Sequence, residues 1–135
     1  MVVDTMVFVY ALLKVEGKYE EALAVIEKAD SVIVPDSFRA ELTNTFWQWV
    51  KFGNAPEEAT FKALQRAEGL IDRVVSTKEV WVSALQIAIA LEHPVYDTLF
   101  VATAMMHDEK VVTYDKKLQS KFANWTISPE TFLSL

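Results

Sequence analysis

The chain has 135 residues, of which 52% are hydrophobic, with three glycines, no cysteine and a formal net charge of -6. That length fits one domain with a full core, and the composition excludes a disordered chain as well as disulfide or thiolate chemistry. The acidic balance excludes broad electrostatic attraction to a polyanion, so any nucleic-acid contact must be local. The apolar stretches Met6–Leu13 and Val80–Leu91 fall short of the ~20 residues of a membrane span, and the first lacks a leader signature. A soluble, cytoplasmic protein is expected.

The first predicted element is an apolar strand, Met1 to Asp4, followed by a helix from Thr5 to Glu16 that stops at Gly17. Lys18 to Ala29 reads as an amphipathic helix and Ser31 to Val34 as a β-branched strand ended by Pro35, with Asp36 placed to cap the next helix. That helix, Ser37 to about Phe52, buries a stripe of Phe38, Leu42, Phe46, Trp49 and Val50, leaving Trp47 and Phe52 off it and free to meet a protein partner. A turn leads into a helix from Pro56 to Glu68, closed by Gly69, and then a strand from Leu70 to Val75. Ser76 and Glu79 fit a capping box opening a helix to Glu92, whose stripe Trp81, Leu85, Ala88 and Ile89 reads as core. After the break at His93-Pro94 come a helix from Tyr96 or Asp97 to Asp108, a strand Lys110 to Thr113, a helix Lys116 to Phe122 and a strand near Asn124 to Ser128. Strands alternating with helices imply one α/β domain, residues 1–135, with a parallel sheet covered on both faces.

Two apolar strands end in aspartate before a helical pattern, Val2-Val3-Asp4-Thr5 and Val111-Val112-Thr113-Tyr114-Asp115. Set side by side, they would place two carboxylates in the crevice where ligands of open α/β sheets bind. Each aspartate taken alone is a good N-cap, as is Asp97. Asp97 shares a phase with Val101 and Ala104, and Glu41 lies in the second turn of its helix, too deep to cap it. If all four acids meet, mutual repulsion of roughly 4 kcal/mol per close pair demands protons or cations, and an all-oxygen set suits Mg²⁺ or Mn²⁺. His93 and His107 lack paired metal spacing, and no glycine-rich phosphate loop or nucleophile elbow is present.

The ordered set of Asp4-Thr5, Glu41 early in a helix after Pro35, Tyr96-Asp97-Thr98 opening a helix and Val112-Thr113-Tyr114-Asp115 resembles the PIN-domain nucleases. Length and element order are most similar to the VapC-type ribonuclease toxins of toxin–antitoxin pairs. The resemblance implies a five-stranded parallel sheet in the order 3-2-1-4-5 and metal-dependent hydrolysis of RNA phosphodiesters. It also implies Asp4, Glu41, Asp97 and Asp115 as catalytic and Mg²⁺- or Mn²⁺-binding residues, with Thr5 and Thr113 holding them by hydrogen bonds. The implied partners are an RNA substrate, a cognate antitoxin and a second copy in a homodimer, but no membrane. Lys116, Lys117 and Arg39 are candidates for substrate contact and Trp47 and Phe52 for the antitoxin face. Met6, where the family often has Ser or Asn, keeps open a catalytically silent RNA- or protein-binding module. A phosphoacceptor domain is the other alternative, though the start lacks the second acid that chemistry needs.

Overall fold

The computed structural model describes residues 1–135, and its sheet is built from strands of only two or three residues: β1 (Val2–Val3), β2 (Ile33–Pro35), β3 (Arg73–Val75), β4 (Val111–Val112) and β5 (Thr126–Ile127). All pair in parallel in the order β3-β2-β1-β4-β5, the order the resemblance implied. Such short strands hold because both faces of the inner ones are covered, whereas β3 at the edge leaves Arg73 and Val74 exposed. Val2, Val3, Val34, Val111 and Val112 are fully buried, as the unbroken apolar runs require of a parallel sheet.

Between β1 and β2 lie α1 (Thr5–Leu12) and α2 (Tyr19–Lys28). The first ends earlier than Gly17, because the chain turns left-handed at Lys14, and Gly17 serves a later turn at φ +81°. Pro35 does not end β2 but belongs to it, buried and in register with Val75. In α3 (Ser37–Gly53) Phe38, Leu42 and Phe46 are buried, with Phe38 packed on Phe8 at 4.6 Å between ring centres. Trp49 and Val50 are only half-buried. Asn54, left-handed at φ +57°, caps α3. Asp36 stands at the N-cap position without capping, because its carboxylate turns instead to Arg39.

A single 3-10 turn, Glu68–Leu70, follows α4 (Glu57–Ala67), so β3 starts later than Leu70. The capping box of α5 (Thr77–Leu91) is present, with Ser76 and Glu79 each bonded to the other's backbone N–H. Ser76→Ala should lower stability by about 1 kcal/mol in chemical denaturation, and an unchanged midpoint would show that the cap contributes nothing.

The α5 stripe corrects one expectation. Val80 and Ala84 are buried, whereas Trp81, Leu85 and Ile89 are 56%, 52% and 71% exposed. The helix is apolar around most of its circumference, and the small-residue side packs on α6 (Val95–Met106), where the Thr98 hydroxyl donates to the Ala84 carbonyl at 2.8 Å. Close approach of two helices favours the smaller side chains, so the bulkier stripe faces outward.

The chain ends through α7 (Lys116–Lys121) and a helix that the sequence reading lacked, α8 (Pro129–Leu133). Ser128 caps it with its hydroxyl, Pro129 opens it, and the Lys28 ammonium donates to the Phe132, Leu133 and Leu135 carbonyls at its end. No helix is long and apolar enough to cross a membrane.

Candidate functional site

The register of β1 against β4 decides the site. Val2 pairs with Val111 and Val3 with Val112, so the next residues, Asp4 and Thr113, leave the sheet side by side at its carboxyl edge. The Asp4 N–H is still held by the Val112 carbonyl at 3.1 Å and the Thr113 N–H by the Ile127 carbonyl at 3.1 Å. The Thr113 hydroxyl donates to Asp4 Oδ2 at 2.5 Å and accepts the Asp115 N–H at 3.0 Å. One side chain thus ties the first aspartate to the loop carrying the last. Gln119 fixes the same loop, its amide donating to the Thr113 carbonyl at 2.6 Å.

Capping and convergence coexist here. Asp4 Oδ1 accepts the Thr5 N–H at 2.8 Å and Asp115 Oδ1 accepts the Leu118 N–H at 3.1 Å, so each aspartate caps its helix. The two N-termini therefore open on the same crevice, and their dipoles favour negative charge there.

The other two acids arrive from helices. Asp97 occupies the first turn of α6, and Glu41 the second turn of α3. Burial pushes the Asp4 carboxyl up to about 6 against the hydrogen bonds from Thr113 and Thr5, and the charges of Asp97 and Asp115 raise it further. Burial likewise raises Glu41 to about 7, opposed by the nearby Thr5 hydroxyl and reinforced by Asp4 and Asp97. Both shifts come first from burial, and the neighbouring carboxylates add to it. The Thr5 hydroxyl, buried and close to Glu41, does not reach hydrogen-bonding geometry with it, so of the two threonines only Thr113 ties the acids by a hydrogen bond.

An all-oxygen donor set of this charge fits a hard divalent ion such as Mg²⁺ or Mn²⁺. No three of the carboxylates stand close enough to form a ready-made cage, so occupancy requires side-chain adjustment. Such an ion could draw oxygens from Asp4, Asp97, Asp115 and Glu41.

The remaining candidates divide. Lys116 and Lys117 are exposed beside Asp115. Arg39 is not available in the way the sequence suggested, because it forks onto Glu68 at 2.5 and 3.1 Å and also pairs with Asp36. Two residues from Glu41, it lies on the opposite side of α3. Met6 packs half-buried against the core. His93, which lacks paired metal spacing, bonds Asp97 through Nε2 at 2.7 Å. Its spacing of four residues was visible, but the intervening Pro94 hid the contact. Tyr114 joins Tyr10 edge to face at 5.1 Å beneath the Lys18 ammonium, and burial with the neighbouring Glu21 raises its phenol.

Away from the acids, an apolar groove between α3 and α4 is lined by Phe46, Trp47, Val50, Phe61 and Leu64. Trp47 and Phe52 are both exposed and meet edge to face at 6.1 Å.

The chain is similar to the crystal structure of PAE2754 from Pyrobaculum aerophilum, with a TM-score of 0.77 at 20% identity over 98% of this chain and 91% of that one. FitAcB from Neisseria gonorrhoeae gives 0.67 at 17% identity over 96% and 97%, and a toxin-antitoxin complex from Klebsiella pneumoniae 0.64 at 16% over 95% and 96%. At these identities the likeness is one of fold. No curated protein sequence matches significantly. The model of the PIN domain matches residues 1–123, from β1 through α7, and the chain therefore belongs to the PIN-domain family.

Proposed function

We propose that the protein is a Mg²⁺- or Mn²⁺-dependent endoribonuclease, the toxin of a VapBC-type pair. The observation that carries this is the Thr113 bridge between Asp4 and Asp115, with Asp97 and Glu41 near enough to raise the Asp4 and Glu41 carboxyls. Members of the family are generally nucleases, and a toxin–antitoxin complex is among the similar structures.

A bound divalent ion would supply charge neutralisation at the phosphate and activation of the attacking water. The chain's own contribution is positional. Asp4, Asp97 and Asp115 present oxygens from three separate elements, and Thr113 keeps Asp4 and Asp115 in fixed relation. Glu41, half-buried in the second turn of α3, is suited to orient water or take a proton at its carboxylate. Lys116 and Lys117 stand exposed at the rim to meet the RNA backbone locally on an otherwise acidic protein. The test is cleavage of a structured RNA with Mn²⁺, compared in wild type and Asp97→Asn. Equal cutting, or cutting in the presence of chelator, defeats the assignment.

The groove between α3 and α4 suits an apolar helix of the antitoxin, with Trp47 as its anchor. Trp47→Ala should weaken antitoxin binding by roughly 30-fold and leave RNA cleavage intact; titration calorimetry against the co-encoded small protein checks this, and the reverse pattern removes the groove from that role. The outward stripe of α5, Trp81, Val82, Leu85 and Ile89, suits a second copy in a homodimer.

A further inference from the structure

His93 stands between α5 and α6 on a backbone fixed from both sides. Glu92 is left-handed at φ +50° and caps α5, and the His93 N–H donates to the Ala88 carbonyl at 3.1 Å. The Lys121 ammonium holds the Glu92 carbonyl at 3.0 Å. On the other side, Pro94 is the N-cap of α6. The imidazole side chain is 3% exposed and meets the Phe122 ring edge to face at 5.5 Å. Its Nε2 lies 2.7 Å from Asp97 Oδ2, whereas its Nδ1 is buried without a partner.

Asp97 is the third residue of α6. An acid there ordinarily reaches back to the backbone N–H of the N-cap residue. Pro94 has none to give. The nearest donor on the preceding chain is the His93 ring, and an ionised carboxylate can only accept, so the proton of this bond belongs to Nε2. With Oδ2 engaged, Oδ1 makes no hydrogen bond within the protein, and the carboxylate is near enough to act on the charges of Asp4 and Glu41.

We propose that His93 is a positioning residue for the candidate metal centre, replacing the donor that Pro94 lacks and turning the free oxygen of Asp97 toward the ion. This rests on the metal-dependent nuclease reading. A ring that merely filled space against Phe122 would have no need of the bond.

Two substitutions separate packing from positioning. His93→Leu keeps an apolar body against Phe122 and loses the donor, whereas His93→Gln places an amide N–H near the position of Nε2 and loses the ring. Mn²⁺ is titrated calorimetrically into wild type, both variants and Asp97→Asn, and the melting temperature of each is measured. His93→Leu should bind Mn²⁺ roughly 10- to 100-fold more weakly, and His93→Gln within about threefold of wild type, although the Gln variant melts lower. Affinities that follow the melting temperatures, or a Leu variant that binds like wild type, overturn the proposal. If the Leu variant does not fold, weakening beyond about tenfold in the Gln variant does so. A wild type that takes up no Mn²⁺, or an Asp97→Asn that binds as wild type does, instead defeats the metal-centre reading and this one with it.

Discussion

Asp97→Asn should cut RNA in Mn²⁺ roughly 10³-fold more slowly than wild type while remaining folded. The substitution preserves size and removes one negative charge from a half-exposed side chain at the start of α6. Its structural cost is small, about 0.3–1 kcal/mol for the lost interaction with the helix N-terminus, partly offset by relief of the repulsion it exerts on Asp4 and Glu41. Its chemical cost is large, because losing an oxygen that holds the ion forfeits several kcal/mol of charge stabilisation, and about 4 kcal/mol is a thousandfold in rate. Single-turnover cleavage of a structured RNA, run beside a thermal melt, separates the two effects. A folded variant that cuts like wild type would remove Asp97 from the chemistry.

Without divalent ions, the protein should be more stable at pH 5 than at pH 8. Asp4 and Glu41 both have raised folded values, about 6 and about 7, against ordinary values of 3.8 and 4.5. The folded state therefore binds protons more tightly, and the stability this represents is fully present below about pH 4 and lost as pH rises through 6 and 7. For Asp4 the whole displacement corresponds to on the order of 3 kcal/mol, of which about 1 kcal/mol, or roughly 4 °C in melting temperature for a domain of this size, is lost between pH 5 and 8. Both carboxyls add less than their displacements suggest, because each is only partly buried and water screens it. Glu41→Gln should flatten the decline measured by melts in chelator from pH 5 to 8, and Mn²⁺ should restore stability at pH 8 by binding the folded state. A melting temperature that holds or rises over this range, or an unchanged slope in Glu41→Gln, would mean that burial does not raise the two carboxyls.

Both effects arise from side chains distant in sequence, and how far they could be read beforehand differs residue by residue. Apolar runs ending in Asp4 and Asp115 were readable as buried parallel strands because a sheet covered on both faces tolerates no polar alternation. The capping box at Ser76 and Glu79 was readable because it is local chemistry within four residues. Asp36 has the same local credentials and behaves otherwise, since Arg39, anchored on Glu68 from the turn after α4, draws its carboxylate away.

Sequence alone established the alternation of strands and helices, the order of the acids and, through the family resemblance, the sheet order, since these follow from periodicity and the succession of motifs. It could not decide which side of α5 is buried, because Val80 with Ala84 and Trp81 with Leu85 are equally apolar and only the close approach of α6 selects the smaller pair. Nor could it give His93 a partner. That bond depends on a proline without an N–H and a ring pinned against Phe122, 29 residues away, and hydrophobic patterning carries no information about where a single polar proton is shared.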